Sequence, residues 1–287
     1  MGTIEKLRKE YHAKLCDTIC GFRHGTKVLN IADTDNEYSV DVSLKMVSKL
    51  CAKISDKNVT PQTIGQKFAE ITKGFIDIAF QKLLHLRPGK WCCSTSQSAC
   101  GITVFDQYAH LSQIQKILNE NPDLKTALGG DYLITPDITI SRESETDENI
   151  NKKEKLLDSG KHIVSCSPLR KENVPDFPRI LHASISCKWT IRSDRAQNTR
   201  TEALNLIRNR KGNAPHIVAV TFEPLPGRLA SLALGTGDLD CMYHVALHEL
   251  REAIRETKSN DHIEQIDTLI RGRRLRDISD LPFDLAI

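Results

Sequence analysis

Residues 182–191 read His-Ala-Ser-Ile-Ser-Cys-Lys-Trp-Thr-Ile, and their alternation decides the fold. Ile185, Cys187, Trp189 and Ile191 fall on one side of an extended chain. Ser186, Lys188 and Thr190 fall on the other, the pattern of a half-buried strand. Residues 132–140 alternate in the same way, with Ile134, Pro136, Ile138 and Ile140 opposite Thr135, Asp137 and Thr139. Residues 216–222 form a continuous apolar run, as expected of a central strand covered on both faces. Helical spacing fills the rest. It predicts helices over 3–20, 42–55, 104–129, 199–210 and 241–258, with 21–41 as loop. The clearest is 65–86, where Phe68, Ile71, Phe75, Ile78, Ala79, Leu83 and Leu86 share a face before Pro88-Gly89 ends it. Helices flanking a few strands predict an α/β fold. Residues 141–160 are polar and charged, and predict an exposed excursion.

The two alternating strands also carry the candidate chemistry. Asp137 and Lys188 lie on their polar faces, with Ser186 beside Lys188. A carboxylate and a lysine on neighbouring strands suit metal-assisted phosphodiester cleavage, the logic of the PD-(D/E)xK nucleases. The carboxylate holds a hard cation such as Mg²⁺, and the lysine orients water or stabilises developing charge. Ser186 stands where that motif usually has an acid, so Glu202, fourteen positions after Lys188, is the candidate replacement. The same residues also read as a turn-proximal aspartate, a strand-edge lysine and a first-turn glutamate favoured by its helix dipole.

Net charge is only +3, from 40 basic and 37 acidic residues, so the chain as a whole does not announce a nucleic-acid partner. The charge is concentrated locally. Over 188–211 seven basic residues face only Asp194 and Glu202. Within this stretch Arg192, Asp194 and Arg195 suit G·C readout in a major groove, arginine to guanine O6 and N7 and aspartate to cytosine N4. An exposed salt-bridge cluster on a loop is the other reading.

Several classes are excluded. No apolar run approaches the roughly 18 residues of a membrane span. The N-terminus lacks a secretory h-region, and Lys6 stands where myristoylation wants Ser or Thr, so a cytoplasmic location is expected. The nine cysteines are irregularly spaced without a Cys-x-x-Cys, which argues for reduced thiols rather than a disulfide scaffold or zinc site. Gly235-Thr236-Gly237 reads as a tight turn, and His244 and His248 as helix-surface or interface residues without a third metal ligand.

The stretch 182–198, HASISCKWTIRSDRAQN, closely resembles the NgoMIV-type restriction endonucleases of the Type IIF group, which recognise sites with a CCGG core. The resemblance extends to Gln107-Tyr108-Ala109-His110-Leu111, Ile134-Thr135-Pro136-Asp137, Arg208-Asn209-Arg210-Lys211-Gly212, Leu234-Gly235-Thr236-Gly237 and Asp277-Ile278-Ser279-Asp280-Leu281-Pro282. It weakens in 1–60, 92–105 and 141–178. It implies one restriction-endonuclease-like domain over 1–287, with a central mixed β-sheet flanked by helices and an exposed excursion at 141–178. It implies Asp137 as metal-binding aspartate, Lys188 as catalytic lysine, Glu202 as the second carboxylate, and Ser186 and Cys187 beside a site holding two Mg²⁺. Arg192, Asp194 and Arg195 would read CCGG, Asp33 the outer G·C pair and Gln62 the minor groove. One position departs. The family has Phe-Glu in the long helix, where this chain reads Phe68-Ala69-Glu70; one step rotates a side chain by about 100°. The active-site role of Glu70 therefore depends on a local shift.

The resemblance further implies Mg²⁺-dependent cleavage of double-stranded DNA at GCCGGC after the first G, leaving 5′-phosphates and CCGG overhangs. A two-fold target requires at least a dimer, and the family implies a homotetramer built as a dimer of dimers. Two competing readings are a CCGG-core nuclease of different outer specificity and a non-catalytic, sequence-specific DNA-binding protein. A methyltransferase lacks support, since no cofactor-binding glycine turn is paired with an Asn- or Asp-Pro-Pro-aromatic motif.

Overall fold

The computed structural model of the chain describes residues 1–52, 54, 59–95, 101–124, 134–158, 162–171, 177–235 and 237–287. Its framework is a six-stranded mixed sheet in which spatial order follows chain order: β1 (Trp91–Thr95), β2 (Ile138–Arg142), β3 (Ile180–Lys188), β4 (His216–Thr221), β5 (Cys241–His244) and β6 (Leu275–Asp277). β1, β2 and β3 pair antiparallel, and β3 to β6 run parallel. β4 is central and buried along nearly its whole length, as its apolar run predicts. β3 is covered on both faces over Leu181–Ile185, where His182 and Ser184 are buried along with Ala183, and from Ile185 to Ile191 the expected alternation holds, with Ser186, Lys188 and Thr190 half-buried between buried neighbours.

Proline moves the start of β2. Pro136 has no N–H to give a ladder, so pairing begins at Ile138, opposite Ile185, and the expected strand at 132–137 does not form over its described part; residues 131–133 lie outside the described residues. Three helices hold the sheet's flank and edge: α1 (Thr3–Thr18), α2 (Glu37–Ser48) and α3 (Pro61–Gln81). α2 begins ahead of the expected helix at 42–55 because Asn36 caps it, its side chain accepting from Ser39 N–H. α3 begins before Gly65 because Thr60 caps it and Pro61 takes its first turn. Its Phe68 ring meets Trp189 edge-on at 5.1 Å, and Phe80 meets Trp91 at 5.3 Å. The stretch 104–129 is broken: 3₁₀ turns at Gly101–Val104 and Asp106–Tyr108 precede α4 (Leu111–Glu120), and 125–130 lie outside the described residues.

Two further helices depart from the sequence pattern. α5 (Ser193–Asn209) starts six residues before 199, and α6 (Pro226–Ala233) follows β4. The stretch 241–258 divides into β5 and α7 (Leu247–Glu256). Cys241, Met242, Tyr243 and His244 are all buried, and so short a run cannot be told from a buried helix by periodicity. His244 is therefore a core residue, its Nδ1 accepting from Ala246 N–H at 3.0 Å, not a helix-surface one. The excursion is also anchored. Ser141 is buried in β2, and buried Arg170 forks onto Asp147 at 2.7 and 2.8 Å. Reduced thiols hold for the other described free cysteines, but Cys16 and Cys51 form a disulfide. The ends of α1 and α2 bring their Cα atoms to 5.6 Å, a proximity that spacing in the sequence does not reveal.

The N-terminal helix is tied to the far sheet edge by buried charge. Arg8 donates to Asp277 Oδ1 and Oδ2 at 2.8 and 2.7 Å and to both Glu249 oxygens at 2.7 Å. Asp277, with its side chain 2% exposed, also accepts from Leu247 and Ser279 N–H. Burial alone would raise its carboxyl, but the Arg8 charge and these bonds hold it below the ordinary aspartate range. Its contribution is thus present above the unfolded-state aspartate pKa and lost as pH falls through the folded one. Arg8→Met should cost about 3–5 kcal/mol at pH 7, because it strands Asp277 in the interior. Urea unfolding checks this. The cost should shrink toward pH 4 as Asp277 protonates, and a pH-independent cost below about 1 kcal/mol would contradict the clamp.

Candidate active site

Asp137 sits at the lip of β2, in the bend that Pro136 leaves outside the ladder. Its Oδ2 accepts from the Cys187 backbone N–H at 2.7 Å and from Lys188 Nζ at 3.3 Å. Oδ1 has no protein hydrogen bond among the described residues. β3 thereby supplies both contacts from consecutive residues, one through its backbone and the other through its side chain.

Glu202, on α5, completes the group in a cleft of about 600 Å³ that Asp137, Lys188, Arg192, Asn198 and Arg23 also line. Burial raises the Glu202 carboxyl above the usual glutamate range; Lys188 opposes the rise and the Asp137 charge adds to it. Burial and the Asp137 charge both disfavour the ionised Glu202, so added positive charge is favourable there. Ser186 Oγ is buried, with no hydrogen-bond partner among the described residues. Cys187 contributes differently from an ordinary thiolate ligand. Its thiol is buried, and burial together with the Asp137 charge pushes its pKa well above the ordinary cysteine value.

The recognition candidates divide. Arg192 is exposed at the start of α5 and lines both the first cleft and a second of about 400 Å³. Asp33 lines the second and is ion-paired with Arg228 of α6. Asp194 and Arg195 lie in the first turn of α5, and their side chains lie outside the described residues. Gln62 is exposed in the first turn of α3, between Pro61 and Ile64, which line the first cleft. Glu70 is not brought into this group. It is exposed on α3, where it accepts from Gln66 Nε2 at 3.1 Å, and the neighbouring position is taken by buried Ala69.

Sequence reasoning missed Arg23, Asn198 and Arg228. Asn198 precedes Glu202 by one helical turn, so its presence on the same face follows once Glu202 is placed. Arg23 and Arg228 come from distant loop and helix positions and carry no local signal.

A mixed sheet flanked by helices, with Asp137, Lys188 and Glu202 lining one cleft, fits a nuclease of the restriction-endonuclease-like fold. Comparison with known proteins makes this specific. The family model for the NgoMIV restriction enzyme matches residues 11–287. The chain is 44% identical over 282 residues to the Type II restriction enzyme NgoMIV of Neisseria gonorrhoeae, covering 98% of this chain and 97% of that protein. The chain belongs to the NgoMIV restriction enzyme family. Its partner is therefore DNA, and no described helix is long and apolar enough to cross a membrane.

The placement of the two glutamates gives a test in plasmid nicking. Glu202→Ala should lose at least about 100-fold in rate. Glu70→Ala should stay within about twofold, as an exposed substitution away from the cleft. Equal losses would return Glu70 to the site.

Proposed function

We propose that this chain cuts double-stranded DNA at GCCGGC after the first G, with Mg²⁺, leaving 5′-phosphates, 3′-hydroxyls and CCGG overhangs. The observation that carries the reading is the junction of Asp137, Lys188 and Glu202 in one cleft with Arg192. Enzymes of this type generally use a divalent metal, and the donor set here suits one. Among the described residues Asp137 Oδ1 has no protein partner, the Glu202 carboxyl is raised by burial and further by the Asp137 charge, and both offer the oxygen donors that a hard cation prefers. Among the described residues no group of three or more His, Cys, Asp or Glu is gathered for a metal, so other ligands would be Ser186 Oγ, backbone oxygen, water and phosphate. Cys187 would serve through its carbonyl. A strand residue sends N–H and C=O to the same side, and the Cys187 N–H already faces Asp137. A cation bound there would polarise the phosphate and favour ionisation of the attacking water.

The chain's own residues do the rest. Asp137 fixes Lys188, whose ammonium orients the water and stabilises charge on the phosphate. Water forms the new P–O bond in line as the P–O3′ bond breaks, and the 3′ oxygen takes a proton. Arg192, with Asp194 and Arg195, reads the core, Asp33 the outer pair and Gln62 the minor groove. A palindromic target needs one active site per strand and one reader per half-site, which a dimer supplies; we propose a homotetramer built from two such dimers.

The test is cleavage of a plasmid carrying two GCCGGC sites, with sequenced ends and Asp137→Ala in parallel. Cuts at GCCGGC with CCGG overhangs that vanish in the variant are expected. Cuts at CCGG with other flanks would overturn the role of Asp33. Specific binding without cutting would favour a non-catalytic protein, with the alanine at position 69 as its structural basis.

A further inference from the structure

Glu223 is the most deeply buried carboxylate among the described residues, at 0% exposed, and the cleavage chemistry has no use for it. It lies two residues past β4. Its Oε2 accepts from Ile191 N–H at 2.8 Å and its Oε1 from Leu225 N–H at 3.0 Å. Arg228 Nη1 stands 3.9 Å from Oε2, while Nη2 of the same guanidinium binds Asp33. A buried carboxylate is expensive unless its oxygens are well satisfied. Two neutral backbone amides could be served by uncharged acceptors, so the placement of a charge here asks for a reason.

The positions of those amides supply it. Ile191 directly precedes Arg192, from which α5 begins with Asp194 and Arg195. Leu225 is the residue before α6, the helix that carries Arg228 to Asp33. One carboxylate therefore grips the roots of both segments that bear candidate base readers. We propose that Glu223 is a positioning residue for base recognition, fixing the Arg192 segment relative to the Asp33–Arg228 pair so that core and outer pairs are read in one register. This rests on the DNA-reading role proposed above.

The charge of Glu223 is also poised to change. Burial pushes its carboxyl up to about 7; the Ile191 and Leu225 bonds and the Arg228 charge hold it down, and Asp33 adds to the rise. The charged and titratable groups facing it are Arg228 from α6, Asp33 from the loop before α2 and His244 from β5. The His244 Nε2 lies 3.1 Å from the Glu223 carbonyl, and burial lowers that ring to about 4, leaving it neutral near pH 7. The ionised carboxylate accepts at both oxygens. A protonated one presents a hydroxyl oxygen to one of the two amides, a weaker acceptor than the ionised oxygen, and loosens that contact. The register is thus held above about pH 7 and loosened below it.

The experiment is equilibrium binding with Ca²⁺ in place of Mg²⁺, so that cleavage does not intervene. It compares a GCCGGC duplex with an ACCGGT duplex and with one altered in the core, from pH 6 to 8.5. For the wild type, the discrimination ratio should fall at least about fivefold from pH 8.5 to pH 6, the scale of one base-pair contact. Glu223→Gln should show the low ratio at every pH. Glu223→Asp, which keeps the charge, should restore part of both the ratio and its pH dependence. A folded Glu223→Gln protein with the wild-type ratio and profile overturns the proposal. So does a wild-type ratio that is flat with pH, a measurement that decides the matter even if the glutamine variant fails to fold. A wild type that ignores the outer pair but rejects the altered core would sink the assignment of Asp33, and the core ratio would then carry the test. A wild type that discriminates neither duplex sinks the DNA-reading role and this proposal together.

Discussion

The missing N–H of Pro136 is the constraint on which the site depends. A strand residue at 136 would have to donate to its neighbour; proline cannot, so β2 starts at Ile138 and Asp137 is left outside the ladder with its carboxylate unconsumed by sheet pairing. The β3 amide that lacks a ladder partner at this point, Cys187 N–H, is satisfied by Asp137 Oδ2 instead. One substitution of a backbone bond by a side-chain bond thus fixes the carboxylate against the strand that carries Lys188. The sheet goes on to parallel pairing beyond β3, so the site forms at the end of the two strands where the antiparallel and parallel parts meet.

Buried charge does the remaining positioning, and it does so at the edges of the fold. Arg8 ties α1 to β6 and α7, Arg170 pins the excursion through Asp147, and Glu223 grips the starts of α5 and α6. Each of these charges is fully provided with partners, as burial requires. Apolar packing, by contrast, sets the distance of α3 from the sheet, through Phe68 on Trp189 and Phe80 on Trp91. The first kind of contact is directional and selects one arrangement. The second tolerates small shifts.

The sequence carried the site more legibly than the fold. Asp137, Lys188 and Glu202 line one cleft, and the sequence points to them because local alternation puts Lys188 on a polar face and the basic stretch marks the surrounding surface. β4 was legible because a continuous apolar run has one meaning in a covered sheet. β5 is not legible, since four buried residues carry no period and His244, four positions before His248, fits a helical spacing equally well. The start of α2 was hidden in a turn-rich stretch where a capping asparagine looks like loop. The Cys16–Cys51 bridge, the Asp33–Arg228 pair and the Glu223 contacts all join residues far apart in the chain. No local pattern encodes such pairs, and only the fold brings them together.

The covalent spacing of Lys188 and Arg192 has a mechanical consequence for the proposed reaction. Three residues lie between them, so their Cα atoms stand at most about 13 Å apart in extended chain. Lys188 lines the cleft with the carboxylates, and Arg192 lines that cleft and the neighbouring one that holds Asp33. A shift of the segment that moved Arg192 off its base would pull on the strand end that holds Lys188 against Asp137. Chemistry held to within fractions of an ångström is sensitive to such a displacement. In this reading, discrimination between sequences need not come from binding alone, because a duplex that seats Arg192 poorly also strains the catalytic lysine. Ile191 lies between the two, and its amide is held by Glu223, so in this reading the Glu223 bond resists such a shift.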